Sequence, residues 1–287
     1  MDQILYHRDG TYIPRIAAIH DLCGYGKCSL GVAIPMLSAA GCDVCPVPTG
    51  LFSSHTAFPA WYAHDTTSML EGYIQAWGKT SIDIDAVYSG FLGAPEQVET
   101  IRDIYQMFPS ALRLVDPVMA DNGTVYPTYT PELCQAMTEL ASEADILTPN
   151  LTEAAIILGI EWPGSDIDEA TVRSIIEGLL DCGAKNVVLK GIDHHDGFIH
   201  NYIQGKSAPF SMTTNDRLPH MLHGTGDLYA SALLAAIMTG RDLVDAARFA
   251  GDFVADAIAI SYSQPDYQTR GVSFEPVLGS VSRLLSK

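Results

Sequence analysis

His223-Gly224-Thr225-Gly226-Asp227 runs directly into Leu228-Tyr229-Ala230-Ser231-Ala232-Leu233-Leu234, so a glycine-flanked turn opens a helix whose first turn carries a carboxylate. The first backbone N–H groups of a helix lack partners inside it, and with the helix dipole they favour an anion such as phosphate. Glycines let that backbone approach the anion without a Cβ in between. An Asp in the same place repels phosphate unless a metal or a transferable proton is involved. Gly-Thr-Gly-Asp therefore points to phosphoryl transfer, with Asp227 as the base that takes a proton from an attacking hydroxyl and Gly224, Thr225 and Gly226 facing the transferred group. The same residues also fit a plain tight turn with a helix-start charge.

Two further segments tip that balance. Leu114-Val115-Asp116-Pro117-Val118-Met119-Ala120-Asp121-Asn122-Gly123 reads as a short apolar strand followed by two carboxylates, where Pro117 stops further pairing and Gly123 opens a loop. Ala144-Asp145-Ile146-Leu147-Thr148-Pro149-Asn150-Leu151-Thr152-Glu153 reads as another strand, a turn and a helix start. A cap at Asn150 or Thr152 with Glu153 as its dipole partner explains that segment alone. It does not explain acidic residues after three strands, at the sheet edge where open α/β folds bind ligands.

Outward from these segments, strand-like runs alternate with helical patterns. Strands are expected at Ile16–His20, Val44–Pro48, Ala86–Ser89, Leu112–Val115, Asp145–Leu147 and Asn186–Lys190. Helices are expected near Ser29–Ala40, Thr66–Trp77, Pro95–Phe108, Pro131–Ala141, Thr152–Leu158, Glu169–Asp181, Asp227–Met238 and Leu243–Ile260. Such alternation makes a mostly parallel sheet with helices on both faces, an α/β/α sandwich. Phe198–Gln204 and Ala208–Thr214 read as antiparallel edge strands. Residues 1–14 read as an N-terminal tail, the first dozen of them loose, and 15–287 as one domain.

In this order and spacing, the three acidic segments resemble the ribokinase-like superfamily of small-molecule kinases, whose signature is a C-terminal Gly-Thr-Gly-Asp. Leu51-Phe52-Ser53-Ser54-His55-Thr56-Ala57-Phe58 and Tyr88-Ser89-Gly90-Phe91-Leu92-Gly93 narrow the likeness to the pyridoxal kinase branch. That resemblance implies ATP and Mg²⁺ as cofactors, leaves a monovalent cation such as K⁺ open, and implies a cytoplasmic homodimer that phosphorylates the 5′-hydroxymethyl group of a B6 vitamer. Asp116, Asp121, Thr148, Asn150, Glu153, Lys190 and Gly191 then fall on the nucleotide side, with Glu153 and Asp116 toward the metal and Asn122 to Tyr129 as a lid. Phe52 and Phe91 offer faces to an aromatic ring, while His55 and Thr56 offer hydrogen bonds. The first strand departs from the better-known pyridoxal kinases, which place a Ser where this chain has Asp21. A carboxylate there suits a protonated ring nitrogen. Two alternatives stay open: hydroxymethylpyrimidine kinase, and a non-catalytic B6-binding protein.

Composition narrows the partners. A chain of 287 residues, 47% apolar, can bury a large core, and a formal charge of −18 argues against nucleic acid or an anionic membrane. Any nucleotide site must then create its own positive potential. No signal-like or membrane-length apolar run is expected to place the chain outside the cytoplasm. The six cysteines read as dispersed, reduced thiols; Cys42-Asp43-Val44-Cys45 lies in a strand without a second metal-ligand pair. His194-His195 reads as a surface turn.

Overall fold

The computed structural model describes residues 4–206, 208–219 and 222–285. Along the chain the elements are β1 Arg15–Tyr25, α1 Leu30–Ala39, β2 Asp43–Ser54, β3 Ala63–Asp65, α2 Thr67–Lys79, β4 Ala86–Ser89, α3 Glu96–Met107, β5 Leu112–Val115, β6 Ala120–Asp121, β7 Thr124–Val125, α4 Pro131–Ala141, β8 Ile146–Leu147, α5 Leu151–Leu158, α6 Glu169–Asp181, β9 Asn186–Ile192, β10 Phe198–Gly205, β11 Ala208–Asp216, α7 Thr225–Met238, α8 Leu243–Ser261 and α9 Tyr267–Arg270, followed by a 3₁₀ segment Glu275–Leu285. Nine strands form one sheet in the order β11-β10-β9-β8-β5-β4-β1-β2-β3, and β6 pairs β7 separately. Pairing is parallel from β2 through β9 and antiparallel at both edges. The α/β/α arrangement expected from the sequence is the one observed.

The period-2 alternation of strand side chains builds the two layers. Ala17, Ile19, Val87, Val115, Val187 and Leu189 face the side covered by α2 to α6. Ile16, Ala86, Tyr88, Leu114 and Val188 face α1, α7 and α8. Helix α7 is buried at every position from Leu228 to Met238, which is why its sequence lacks a polar face. Truncating Leu233 there would cost about 2–5 kcal/mol. Strand order reverses direction around β1 and β4, so their C-terminal ends open the crevice where ligands sit in such sheets.

Most expected elements appear within a few residues of their expected bounds. The main difference is that β1 and β2 run well past His20 and Pro48. Beyond a register shift between His20 and Leu22 they pair as Leu22 with Leu51, Cys23 with Phe52 and Tyr25 with Ser54. Leu22, Tyr25 and Leu51 are exposed, so this overhang lacks the apolar alternation that marks a buried strand. The N-terminal segment is also not loose. Arg8 donates to the carbonyls of Ala40 and Gly41 at 3.0 and 2.9 Å, and Tyr12 donates to Asp85 at 3.0 Å. Residues 1–3 of that tail lie outside the described residues. Among the described residues no helix is long and apolar enough to cross a membrane.

Candidate active site

The Gly-Thr-Gly-Asp turn is held by close packing. Gly224 has φ 83°, and a Cβ there would lie 1.9 Å from the Lys27 carbonyl oxygen, so neither the conformation nor the space admits a side chain. Asp227 is a half-buried residue in the first turn of α7. Its Oδ2 accepts the Ser29 backbone N–H at 3.0 Å. Its Oδ1 is shielded from solvent and has no protein partner. Burial, and then the charge of Asp116, push the Asp227 carboxyl up to about 7. A carboxylate with a free oxygen that exchanges a proton near neutrality is suited to general-base work.

Behind this turn, Lys190 of β9 forms a buried ion pair with Asp116 Oδ1. Thr148 Oγ1 donates to the same oxygen at 2.9 Å, while Asp116 Oδ2 is buried without a partner. Burial works against the Lys190 charge, but Asp116 and Glu153 outweigh it and raise its pKa. The ammonium lies 3.6 Å from where a Gly226 Cβ would sit, which brings its charge to the anion turn in an otherwise acidic protein.

Glu153 and Asn150 form a reciprocal capping box at the start of α5. Glu153 Oε2 accepts the Asn150 N–H at 2.8 Å and Oε1 accepts the Met119 N–H at 3.3 Å. Burial pushes its carboxyl up to about 8. An oxygen-preferring cation such as Mg²⁺ fits the orphaned Asp116 Oδ2 directly. Glu153, with both oxygens engaged, fits one better through water. Among the described residues, no group of three potential ligands includes these two; phosphate and water would have to complete the shell.

Asp121 ends β6 and leads into the turn of the β6–β7 hairpin, which takes positive φ at Asn122 (48°) and Gly123 (74°). The hairpin is tied to α5: Asn150 Nδ2 donates to the Ala120 carbonyl at 2.8 Å and the Gly123 N–H donates to Thr152 Oγ1 at 2.9 Å. Residues 122–125 are exposed and Tyr129 is buried, giving a flap anchored at its base. Gly191, at φ 75°, donates its N–H to Asn201 Oδ1 at 3.0 Å and faces open space where a Cβ would be.

The acceptor-side residues fall into separate neighbourhoods. Phe52 and Phe91 meet edge to face at 5.7 Å, and Phe91 also meets Tyr129 at 5.6 Å. His55 instead stacks on His223 at 4.0 Å and on Phe58 at 4.5 Å, and a Cβ on Gly26 would strike its ring. Thr56 is exposed. Asp21 is buried, accepts the Cys23 thiol at 3.3 Å and is held above the ordinary carboxylate range by burial.

Three neighbours of the site escaped the sequence reading. Ser29 adopts φ 51°, a conformation costly for a residue with a Cβ, and aims its N–H at Asp227. His223 stands immediately before the anion turn and was assigned no role of its own. Cys28 lies beside Cys23, whose hydrogen bond, with burial and then the nearby charges of Asp21 and Asp227, raises its thiol; the spacing of Asp21 and Cys23 on one strand face was the available signal.

Known proteins resemble this chain over most of its length. A family profile described as phosphomethylpyrimidine kinase matches residues 37–270. The pyridoxal kinase PdxY of Pasteurella multocida is 29% identical over 272 residues, covering 87% of this chain and 89% of that protein. A protein of Bacteroides thetaiotaomicron with the provisional name phosphomethylpyrimidine kinase, crystallised with pyridoxal, superposes with a TM-score of 0.89 at 32% identity, covering 94% of this chain and 96% of that one. The pyridoxal kinase of Lactobacillus plantarum superposes with a TM-score of 0.87 at 25% identity, covering 95% and 98%.

Proposed function

This chain belongs to the phosphomethylpyrimidine kinase family, and we propose that it phosphorylates B6 vitamers, moving the γ-phosphoryl group of ATP onto the 5′-hydroxymethyl oxygen of pyridoxal, pyridoxine or pyridoxamine. The likeness to pyridoxal kinases and to a relative crystallised with pyridoxal supports that acceptor class. One observation carries the chemistry: the Asp227 carboxylate keeps a shielded, unpartnered oxygen and titrates near neutrality at the start of the anion turn.

As the hydroxymethyl oxygen attacks, Asp227 Oδ1 takes its proton. Backbone N–H groups of the Gly224–Gly226 turn and the Lys190 ammonium offset charge on the transferred group. Asp116 Oδ2 would hold Mg²⁺, with Glu153 acting through water; the ion supplies neutralisation of phosphate oxygens. The flap from Asp121 to Tyr129 excludes water from the phosphates. On the acceptor side, Phe52 and Phe91 flank the ring, Asp21 accepts from its protonated nitrogen, and His55 and Thr56 address its substituents. The same kinship carries the expectation of a cytoplasmic homodimer.

The curated relatives include a hydroxymethylpyrimidine/phosphomethylpyrimidine kinase, which keeps hydroxymethylpyrimidine as the second acceptor to test. ADP release is to be measured with each of the three vitamers and with hydroxymethylpyrimidine at saturating MgATP. At least one vitamer is expected to have the highest kcat/KM. A pyrimidine preferred tenfold or more would overturn the acceptor assignment but spare Asp227, whereas vitamer binding without ADP release would indicate a binding protein.

A further inference from the structure

Asp21, Cys23 and Cys28 form, among the described residues, the one group of three potential metal ligands whose donor atoms all lie within 4.8 Å of one another. All three are reduced or carboxylate side chains with little solvent around them: Asp21 is 5% exposed, Cys23 9% and Cys28 6%, and both cysteines are free. The overhang of β1 brings them together. Asp21 and Cys23 share a strand face, and the bend that follows β1 at Gly26 and Lys27 returns Cys28 to the same spot. The Cys23 thiol already donates to Asp21 Oδ2 at 3.3 Å.

We propose that these three side chains bind a thiophilic divalent cation of the zinc class, with water completing the tetrahedron. Zinc–sulfur bonds of about 2.3 Å in a tetrahedron place two sulfur ligands about 3.8 Å apart. The observed cluster therefore needs to contract by no more than about an ångström, which side-chain rotation supplies. Two sulfurs and one carboxylate oxygen match zinc, cadmium or cobalt and mismatch Mg²⁺, which takes oxygen ligands. On binding, both S–H bonds break, two metal–sulfur bonds form and the two thiol protons leave to solvent. Exposed Leu22 and Tyr25 flank the cluster, so an ion has a short path from solvent. This site is separate from the oxygen ligands assigned to Mg²⁺ but shares Asp21 with the proposed acceptor pocket, so a bound cation competes with the vitamer's ring nitrogen for that carboxylate.

Cobalt titration of the reduced full chain tests the proposal without any turnover, so its failure and a failure of the vitamer assignment are distinguishable. Binding of one Co²⁺ per chain is expected to give near-ultraviolet thiolate-to-cobalt absorption with release of two protons per cobalt, and equimolar Zn²⁺ should erase the band by displacing the cobalt. Cys23→Ser and Cys28→Ser should each lose the band, and Cys182→Ser, at an exposed cysteine, should keep it. X-ray absorption of the zinc-loaded wild type should show two sulfur ligands, a readout independent of how the variants fold. Absence of the band, its survival in both single variants, its loss in Cys182→Ser, or a zinc shell of nitrogen and oxygen only would overturn the site.

Discussion

Replacing Asp227 with Asn separates the chemistry of this carboxylate from its cost to the fold. Moving a carboxyl from its ordinary 3.8 to about 7 corresponds to about 4 kcal/mol of preference for the protonated form. Asp227 is half-buried rather than sealed, and screening reduces the working figure to about 2–4 kcal/mol. The folded pKa lies above the unfolded one. The stabilising contribution is thus complete below pH 3.8 and is lost as pH rises through about 7. Asn does not titrate, and its Oδ1 can keep the Ser29 N–H. Its amide nitrogen takes the unpartnered position of Oδ1, and that penalty is the same at every pH. The stability of Asp227→Asn relative to wild type should therefore grow by about 1–3 kcal/mol between pH 5 and pH 8, read by urea unfolding. Activity should move the other way: turnover falls about 10²–10⁴-fold, and the wild-type kcat/KM rises with pH around a midpoint near 7. A stability gap that stays constant over this pH range would refute the burial argument. An Asn variant with near-normal kcat would remove Asp227 from the base role.

Glu153→Gln keeps the capping-box geometry and removes a buried charge; it should raise the Mg²⁺ concentration for half-maximal rate more than it affects acceptor KM, and an unchanged titration would leave Glu153 as a helix cap alone. Lys190→Met strands Asp116 without its counter-ion, so a loss of about 3–5 kcal/mol in unfolding free energy is expected, together with a higher KM for ATP; calorimetry and ATP titration check both. His55→Ala should reduce turnover of B6 vitamers more than of hydroxymethylpyrimidine, measured on one preparation, and an equal loss for both would make His55 a packing residue.

The layered sheet was legible because its strands are buried on both faces and its helices alternate with them; β4, β5, α4 and α6 fall on the expected residues. The overhang of β1 and β2 was not, since residues 22–25 and 49–54 gain their strand character from pairing with each other rather than from apolar periodicity. The same gap explains the acceptor side. Phe52 and His55 are three residues apart in sequence, yet the strand ends at Ser54 and the chain turns His55 toward His223. Around the anion turn, the glycines and Asp227 were readable from residue type. The Ser29 contact was not, because a backbone N–H held at positive φ leaves no mark in composition. The cysteines read as scattered along the chain, and only the return of the turn after β1 assembles two of them with Asp21.

The β1–β2 overhang and helix α7 differ in how freely selection can alter them. Nearly every α7 side chain is enclosed, so a change there disturbs the packing of a whole layer. The overhang carries Asp21, Cys23 and Phe52 on strands that project beyond the core, with Leu22, Tyr25 and Leu51 exposed beside them. Substitutions on that rim can change which heterocycle is held while leaving the folding of the sheet nearly untouched. Duplicated copies of such a gene should accordingly diverge first along this rim and last along the helix that bears the base, and a library built to redirect the acceptor should be confined to the same few positions.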